Sequence, residues 1–285
     1  MLLMIVAFAT SASVLAGPPQ RVTAASSAAT KPVAGEWADA VRAWLGPVAH
    51  WYRPVTIRLK PRPAPGAFSM NLFSRGDFVH QQTEYWCVAA AVQTMTNIID
   101  DGAPDRSRRF QERLHFMGRR LDREGDEYWR EMAGTARWRQ GLHGLGLADW
   151  AGMLNARGHG PYLIERAVTR KQAMRMAARA IRLTGKPVGL VVWRGAHAWV
   201  MSGFTATADP AHSTGFRVKR AIIQDPWYPD VSSIWGSSGP PGSRVPVAAL
   251  AEDYLPYDRP GRRHPKRDGK FLLILPTLSQ GTHVR

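Results

Sequence analysis

The sequence predicts an α+β fold in which helices come first and an antiparallel run of strands follows. Three observations carry this. From Cys87 onward, Val88, Ala91, Val92, Met95, Ile98 and Ile99 recur at i, i+3, i+4 spacing, the apolar face of a helix. After "TGKP" at 184–187 the period changes to β-branched and aromatic runs broken by Gly, His and Asp. Finally, hydrophobic residues make up 45% of the 285 positions and Trp occurs 11 times, enough for a packed core and against global disorder.

The elements follow in chain order. Leu2 to Ala16 is apolar but too short to span a bilayer comfortably. It ends in small residues, with Val14 and Ala16 at the −3 and −1 positions of a cleavage site and Pro18–Pro19 beyond. Residues 1–16 therefore read as a secretory signal peptide, and the expected location is secreted or in the cell envelope. No Lys or Arg precedes the apolar stretch, so a retained N-terminal membrane anchor is the other reading. Residues 17–65 read as a linker or pro-segment rich in Ala, Ser, Thr and Pro, with a short amphipathic helix over Glu36–Leu45.

The main domain is expected over 66–285. Asp77 to Gln82 looks extended, and the Cys87 helix is closed by "DDGAP". Residues 104–140 are rich in Arg and Glu, with Phe110, Leu114, Met117 and Leu121 at helical spacing, and suggest exposed amphipathic helices. Leu147–Arg157 and Thr169–Leu183 form two further helices, the second opened by a Thr cap and closed by Gly185. The strands are "PVGLVVW" (187–193), "HAWVMSGF" (197–204), "FRVKRAIIQ" (216–224) and "KFLLILP" (270–276).

A net charge of +16, from 38 basic against 22 acidic residues, should draw anionic polymers or the cell envelope non-specifically. No RNP, zinc-finger or basic-zipper pattern accompanies the charge, so no specific nucleic-acid partner is expected. Oligomeric state is not legible.

Cys87 is the chain's one cysteine. An exported protein usually pairs its cysteines as disulfides, and a lone thiol is an intermolecular linker, a buried hydrophobe or a functional group. A thiol attacks carbonyls as the thiolate, and the first turn of a helix favours that anion. A neighbouring imidazolium would favour it further and later act as general acid, and a third group must fix the imidazole's orientation. His197 opens an apolar strand after Gly195–Ala196, where a backbone without bulk can approach a site. Asp225 ends the strand "RAIIQ" before Pro226–Trp227 and either caps a turn or projects into a site. Gln81 and Gln82 precede Cys87 by six and five residues, and either amide could donate to a developing oxyanion. Each signal is weak alone; the ordered set is specific.

Together, "QQTEYWCVAAAVQ", "GAHAWVMSGF" and "IIQDPW" resemble the papain-like cysteine peptidases, and within them the bacteriocin-leader (double-glycine) peptidases and their secreted bacterial relatives. The resemblance covers residues 78–276, with 100–165 poorly matched. It implies a two-lobed fold, a helical lobe carrying Cys87 and an antiparallel sheet lobe carrying His197 and Asp225. It puts Cys87 on the nucleophile, His197 on the general base, Asp225 on the residue that orients it, and Gln81 on the oxyanion donor, with Gln82 the alternative. Val88 and Ala89 stand where the family often has Gly and Pro.

The expected activity is hydrolysis of peptide bonds in a peptide or protein substrate through a Cys thioester. No metal or organic cofactor is called for, and no His-Glu-x-x-His spacing occurs. The same triad would serve an acyltransferase or amidase, and a non-enzymatic basic binding module retaining the fold is the reading from another class.

Overall fold

Helix α1 (Cys87–Ile99) packs against the sheet and two other helices, and its composition explains why. It contains no Gly or Pro, and the small residues Ala89, Ala90 and Ala91, spread around its first turns, let neighbouring elements approach closely. The sequence period suggests one buried face, but the computed structural model buries every residue from Cys87 to Asn97. The polar side, Gln93, Thr94, Thr96 and Asn97, is covered by loops instead of water. Thr94 Oγ1 accepts the Val79 N–H at 3.1 Å, and the Asn97 amide donates to the Asp77 carbonyl at 3.1 Å. Residues 66–122, 144–259 and 264–278 are described. They belong to one of the chain's two units, Lys60–Arg285. The expected signal peptide, linker and Glu36–Leu45 helix lie outside them, as does the 123–140 part of the Arg-rich stretch.

A seven-stranded antiparallel sheet forms the scaffold. Its strands are β1 (Phe68–Asn71), β2 (Tyr162–Ala167), β3 (Val188–Val192), β4 (His197–Ala206), β5 (Val218–Gln224), β8 (Ser243–Pro246) and β9 (Phe271–Pro276). Their order is β2-β9-β3-β4-β5-β8, with β1 added to the far end of β4. A separate two-stranded hairpin, β6 (Val231–Ser232) and β7 (Gly236–Ser237), hangs between β5 and β8. The α+β class holds. The strict order of helices before strands does not, because β1 precedes the Cys87 helix and β2 precedes the helix over Arg170–Thr184.

Side chains alternate across the sheet and build two cores. On one face Val191, Ala198, Val200, Leu272 and Ile274 pack with α1, α2 (Arg108–Asp122) and α3 (Leu147–Ala156). On the other, Val188, Leu190, Met201, Leu273 and Leu275 pack with α4 (Arg170–Thr184). With both faces covered, β3 and β9 read as unbroken apolar runs. Helix α4 begins as its sequence dictates: Thr169 Oγ1 accepts the Gln172 N–H, and Gly185 closes it at φ +66°. Gly189 is required by packing, since a Cβ there would lie 2.5 Å from the Trp150 ring laid across β3.

Residues Asp77–Gln82, expected to be extended, join no sheet and are held by side chains. One expectation is corrected. Helix α2 is not simply exposed: Phe110 and Leu114 are buried as their spacing predicts, and Gln111, His115 and Arg119 are buried with them.

Candidate active site

The pre-helix loop delivers Cys87 as the first residue of α1. Trp86 is the N-cap, makes no side-chain cap hydrogen bond, and no acidic residue occupies the first turn. The helix's positive end is therefore left to the thiol sulfur and whatever it attacks.

His197 is the first residue of β4, and Asp225 follows the last residue of β5. Antiparallel pairing of Val200 with Gln224 brings these strand ends to the same edge of the sheet. There His197 Nε2 donates to Asp225 Oδ1 at 2.6 Å. Since Nε2 is committed to the carboxylate, Nδ1 is the nitrogen left for the thiol. Burial alone would push the imidazole's pKa down. Its hydrogen bonds to Asp225 and Cys87, and the negative charge of both partners, outweigh burial and raise it to about 9. Burial likewise pushes the Asp225 carboxyl up, but the His197 hydrogen bond and charge, then Ser238 and the Trp227 N–H, hold it below the usual carboxylate range.

Sequence left two placements open for Asp225, capping a turn or projecting into a site; its carboxylate caps the turn and also bonds the His197 ring. Oδ1 accepts the Trp227 backbone N–H at 2.9 Å as well as the imidazole. Ser238, beyond β7, adjoins the carboxylate, although neither Oδ2 nor Ser238 Oγ completes a hydrogen bond.

The two glutamines are not equivalent. Gln81 is buried (3% exposed), and its Nε2 donates one hydrogen to the Thr83 carbonyl at 2.8 Å. That bond uses one of the two amide hydrogens, and Oε1 is buried without a hydrogen bond. Gln82 is less buried, and its Nε2 bends back to the His80 carbonyl at 3.4 Å, a weak bond. The Gln81 backbone N–H donates to the Pro226 carbonyl at 2.9 Å, and His80 Nδ1 donates to the Tyr228 carbonyl at 2.8 Å. The loop before the cysteine is thus stitched to the turn after the aspartate.

The structure brings Cys87, His197 and Asp225 together, and all three are under cover, at 8%, 5% and 3% exposure. Part of the cover was not foreseen. Trp193 stacks on the His197 ring (4.1 Å between centroids, 20°), and Trp227 meets that ring edge-on at 6.1 Å. Trp235, from the β6–β7 hairpin, stacks on Trp193 at 5.8 Å. Trp193 and Arg194 hold left-handed backbone (φ +54° and +55°), uncommon for bulky residues. Asp253 anchors that conformation by accepting the Trp193 N–H at 2.8 Å and its Nε1–H at 2.9 Å. Burial raises the Asp253 pKa against the Trp193 hydrogen bond, and the charges of Asp225 and Glu252 add to the rise. The one sequence signal for this corner is Trp193 ending an apolar strand directly before Arg194–Gly195.

Gly195 belongs to the same corner. Its φ of +98° completes the turn into His197, and a Cβ there would lie 2.5 Å from the Tyr257 ring. The backbone without bulk makes its close approach to Tyr257.

No protein-family model matches the chain, and no curated protein matches it.

Proposed function

We propose that this protein is a cysteine peptidase that hydrolyses peptide bonds through a Cys87 thioester, within a papain-like two-lobed arrangement. The observation that carries the reading is the joining of His197 to both Asp225 and Cys87, with the imidazole raised to about 9. At neutral pH that imidazole is protonated, the partner a thiolate needs. The division of the site supports the fold part of the proposal, since Cys87 comes from the helical side and His197 and Asp225 from the sheet.

In this reading the Cys87 thiolate attacks the substrate carbonyl carbon, and the C=O electron pair moves to oxygen. The second Gln81 Nε2–H and the Cys87 backbone N–H stabilise that oxyanion. The oxyanion collapses, the C–N bond breaks, and His197 Nδ1–H gives its proton to the departing amine. The neutral imidazole then takes a proton from water as the water attacks the thioester. The second oxyanion collapses, the C–S bond breaks, the carboxylic acid leaves, and the thiolate–imidazolium pair is regenerated. Asp225 keeps Nδ1 aimed at the sulfur throughout. Export belongs to the proposal through residues 1–16, and a peptide or protein is the substrate.

The test is covalent labelling of Cys87 with iodoacetamide or an epoxide, followed by mass spectrometry. Labelling is expected in the native protein and lost in His197→Ala. A Cys87 that stays unlabelled in the folded protein rules the reading out. Incubating acylated protein with an amine acceptor distinguishes hydrolysis, which gives free acid, from acyl transfer, which gives amide. A Cys87→Ala protein that keeps its full biological effect points instead to the basic binding module.

A further inference from the structure

Gln111 stands on α2, in the Arg-rich stretch that the family resemblance leaves unmatched, and it is fully buried. A long polar side chain taken out of water needs all its hydrogen-bonding groups occupied. Those of Gln111 are occupied in a specific way. Oε1 accepts the Gln82 backbone N–H at 2.8 Å, and Nε2 donates to the His80 carbonyl at 3.1 Å. The same Nε2 donates to Gln93 Oε1 at 3.0 Å, which ties the pair to α1. Gln93 in turn donates to the carbonyls of Asp105 and Ser107 at 2.9 and 3.1 Å. One carboxamide thus pairs with the backbone on both sides of Gln81, as a neighbouring strand would. The Gln81 backbone N–H is held separately by the Pro226 carbonyl.

We propose that Gln111 is a positioning residue for the oxyanion donor: its carboxamide clamps the His80 carbonyl and the Gln82 N–H and so fixes where the Gln81 amide points. The inference rests on the peptidase reading and on Gln81 as donor. A loop without regular structure holds a side chain only as well as its own backbone is held. Here the backbone of residues 80–82 is held from outside by Pro226, at the turn beside Asp225, and by Gln111, and the His80 ring adds a bond to the Tyr228 carbonyl. Removing the clamp touches no bond of Cys87, His197 or Asp225; it frees the donor loop and takes one partner from Gln93 on α1.

Two reactions of the same sulfur separate these effects. Iodoacetamide alkylates a thiolate by displacing iodide and develops no oxyanion. p-Nitrophenyl acetate acylates it through a tetrahedral oxyanion with loss of p-nitrophenolate. Both rates are measured on the full chain for wild type, Gln81→Ala, Gln111→Met and the double variant. Methionine keeps the volume of Gln111 without its hydrogen bonds. Acylation is expected to fall about 100-fold in Gln81→Ala, the usual effect of losing one oxyanion donor. In Gln111→Met it is expected to fall at least about 10-fold, part of that full loss, while alkylation in both stays within about 3-fold. The double variant is expected to match Gln81→Ala, because a clamp has nothing to hold once the amide is gone.

If Gln111→Met acylates like wild type while Gln81→Ala is slow, the clamp is wrong and the donor assignment stands. Equal losses from Gln111→Met with and without Gln81 also overturn it. Parallel loss of both reactions marks a collapsed site and a structural role. If Gln81→Ala acylates normally, or neither reagent modifies Cys87, the underlying reading fails and the inference with it. Should Gln111→Met not fold, Gln111→Asn draws the carboxamide back by one methylene, away from the His80 carbonyl and the Gln82 N–H. The same drop in acylation relative to alkylation is expected there, and an unchanged ratio rejects the clamp.

Discussion

One oxygen of Asp225 serves two partners, accepting the His197 imidazole at 2.6 Å and the Trp227 backbone N–H at 2.9 Å. The contact that orients the proposed base therefore also forms the turn that carries Trp227 to the edge of the same imidazole. Asp225→Asn separates the two functions, because an amide oxygen can still accept the Trp227 N–H but brings no charge. Turnover is expected to fall by about 100-fold or more. The unfolding midpoint should drop less than in Asp225→Ala, which removes the turn bond as well. Equal midpoints in the two variants would show that the turn does not depend on this bond.

The raised imidazole also makes stability depend on pH. Unfolded, His197 titrates near the ordinary value of about 6.5; folded, it does so at about 9. Its contribution is complete below about 6.5 and is lost as pH rises through about 9. Asp225 has the opposite sign: its folded pKa lies below the ordinary value, so its contribution is present above about 4 and is lost as pH falls further. Urea unfolding should show stability declining from pH 6.5 toward pH 9. The His197 ring resonances should titrate near 9 in the native protein and lower in Cys87→Ala, since both the hydrogen bond and the charge of Cys87 raise it. A native His197 midpoint below 6.5 contradicts the thiolate–imidazolium pair.

Of the adjacent glutamines, Gln81 alone should matter to the chemistry. Gln81→Ala is expected to lower kcat by about 100-fold with little change in KM, the pattern of a group acting in the transition state. Gln82→Ala loses one weak bond to its own loop and should keep kcat within about 3-fold. A larger loss in Gln82→Ala assigns the donor to the other residue.

Gly195 offers a test of the backbone before His197. An alanine there meets an unfavourable φ of +98° and the Tyr257 ring at once. The expected destabilisation is about 2–4 kcal/mol, read as a shift of the urea midpoint. Substituting Tyr257 by Ala as well should return the steric part of that loss and leave the backbone part.

The sequence made the large regular elements legible where burial enforces a period. The Cys87 helix, α4 and the strands β3, β4, β5 and β9 fall where their patterns place them. Short or edge strands were not legible. Over Tyr162–Ala167 only the two end residues are buried, so β2 shows no alternation, and β1 pairs only with the end of β4. In the site, Cys87, His197 and Asp225 were legible because each opens or closes a strongly patterned element. Gln111 was not, because a Gln among Arg and Glu reads as solvated. The available clue was its place on the stripe of Phe110 and Leu114, where a buried polar residue needs a partner. Trp193 was hidden for another reason: an aromatic at a strand end looks like core until the left-handed turn after it lays the ring on the imidazole.

The hydrogen bonds from His80 and Gln81 to Tyr228 and Pro226 have a mechanical meaning. Cys87 is carried by a helix and His197 by a sheet, and two bodies meeting across a packed apolar surface can slide by fractions of an ångström at small cost. The seam between residues 80–81 and 226–228 acts as a dowel across that surface. It ties the loop leading into Cys87 to the turn that follows Asp225 with directional bonds.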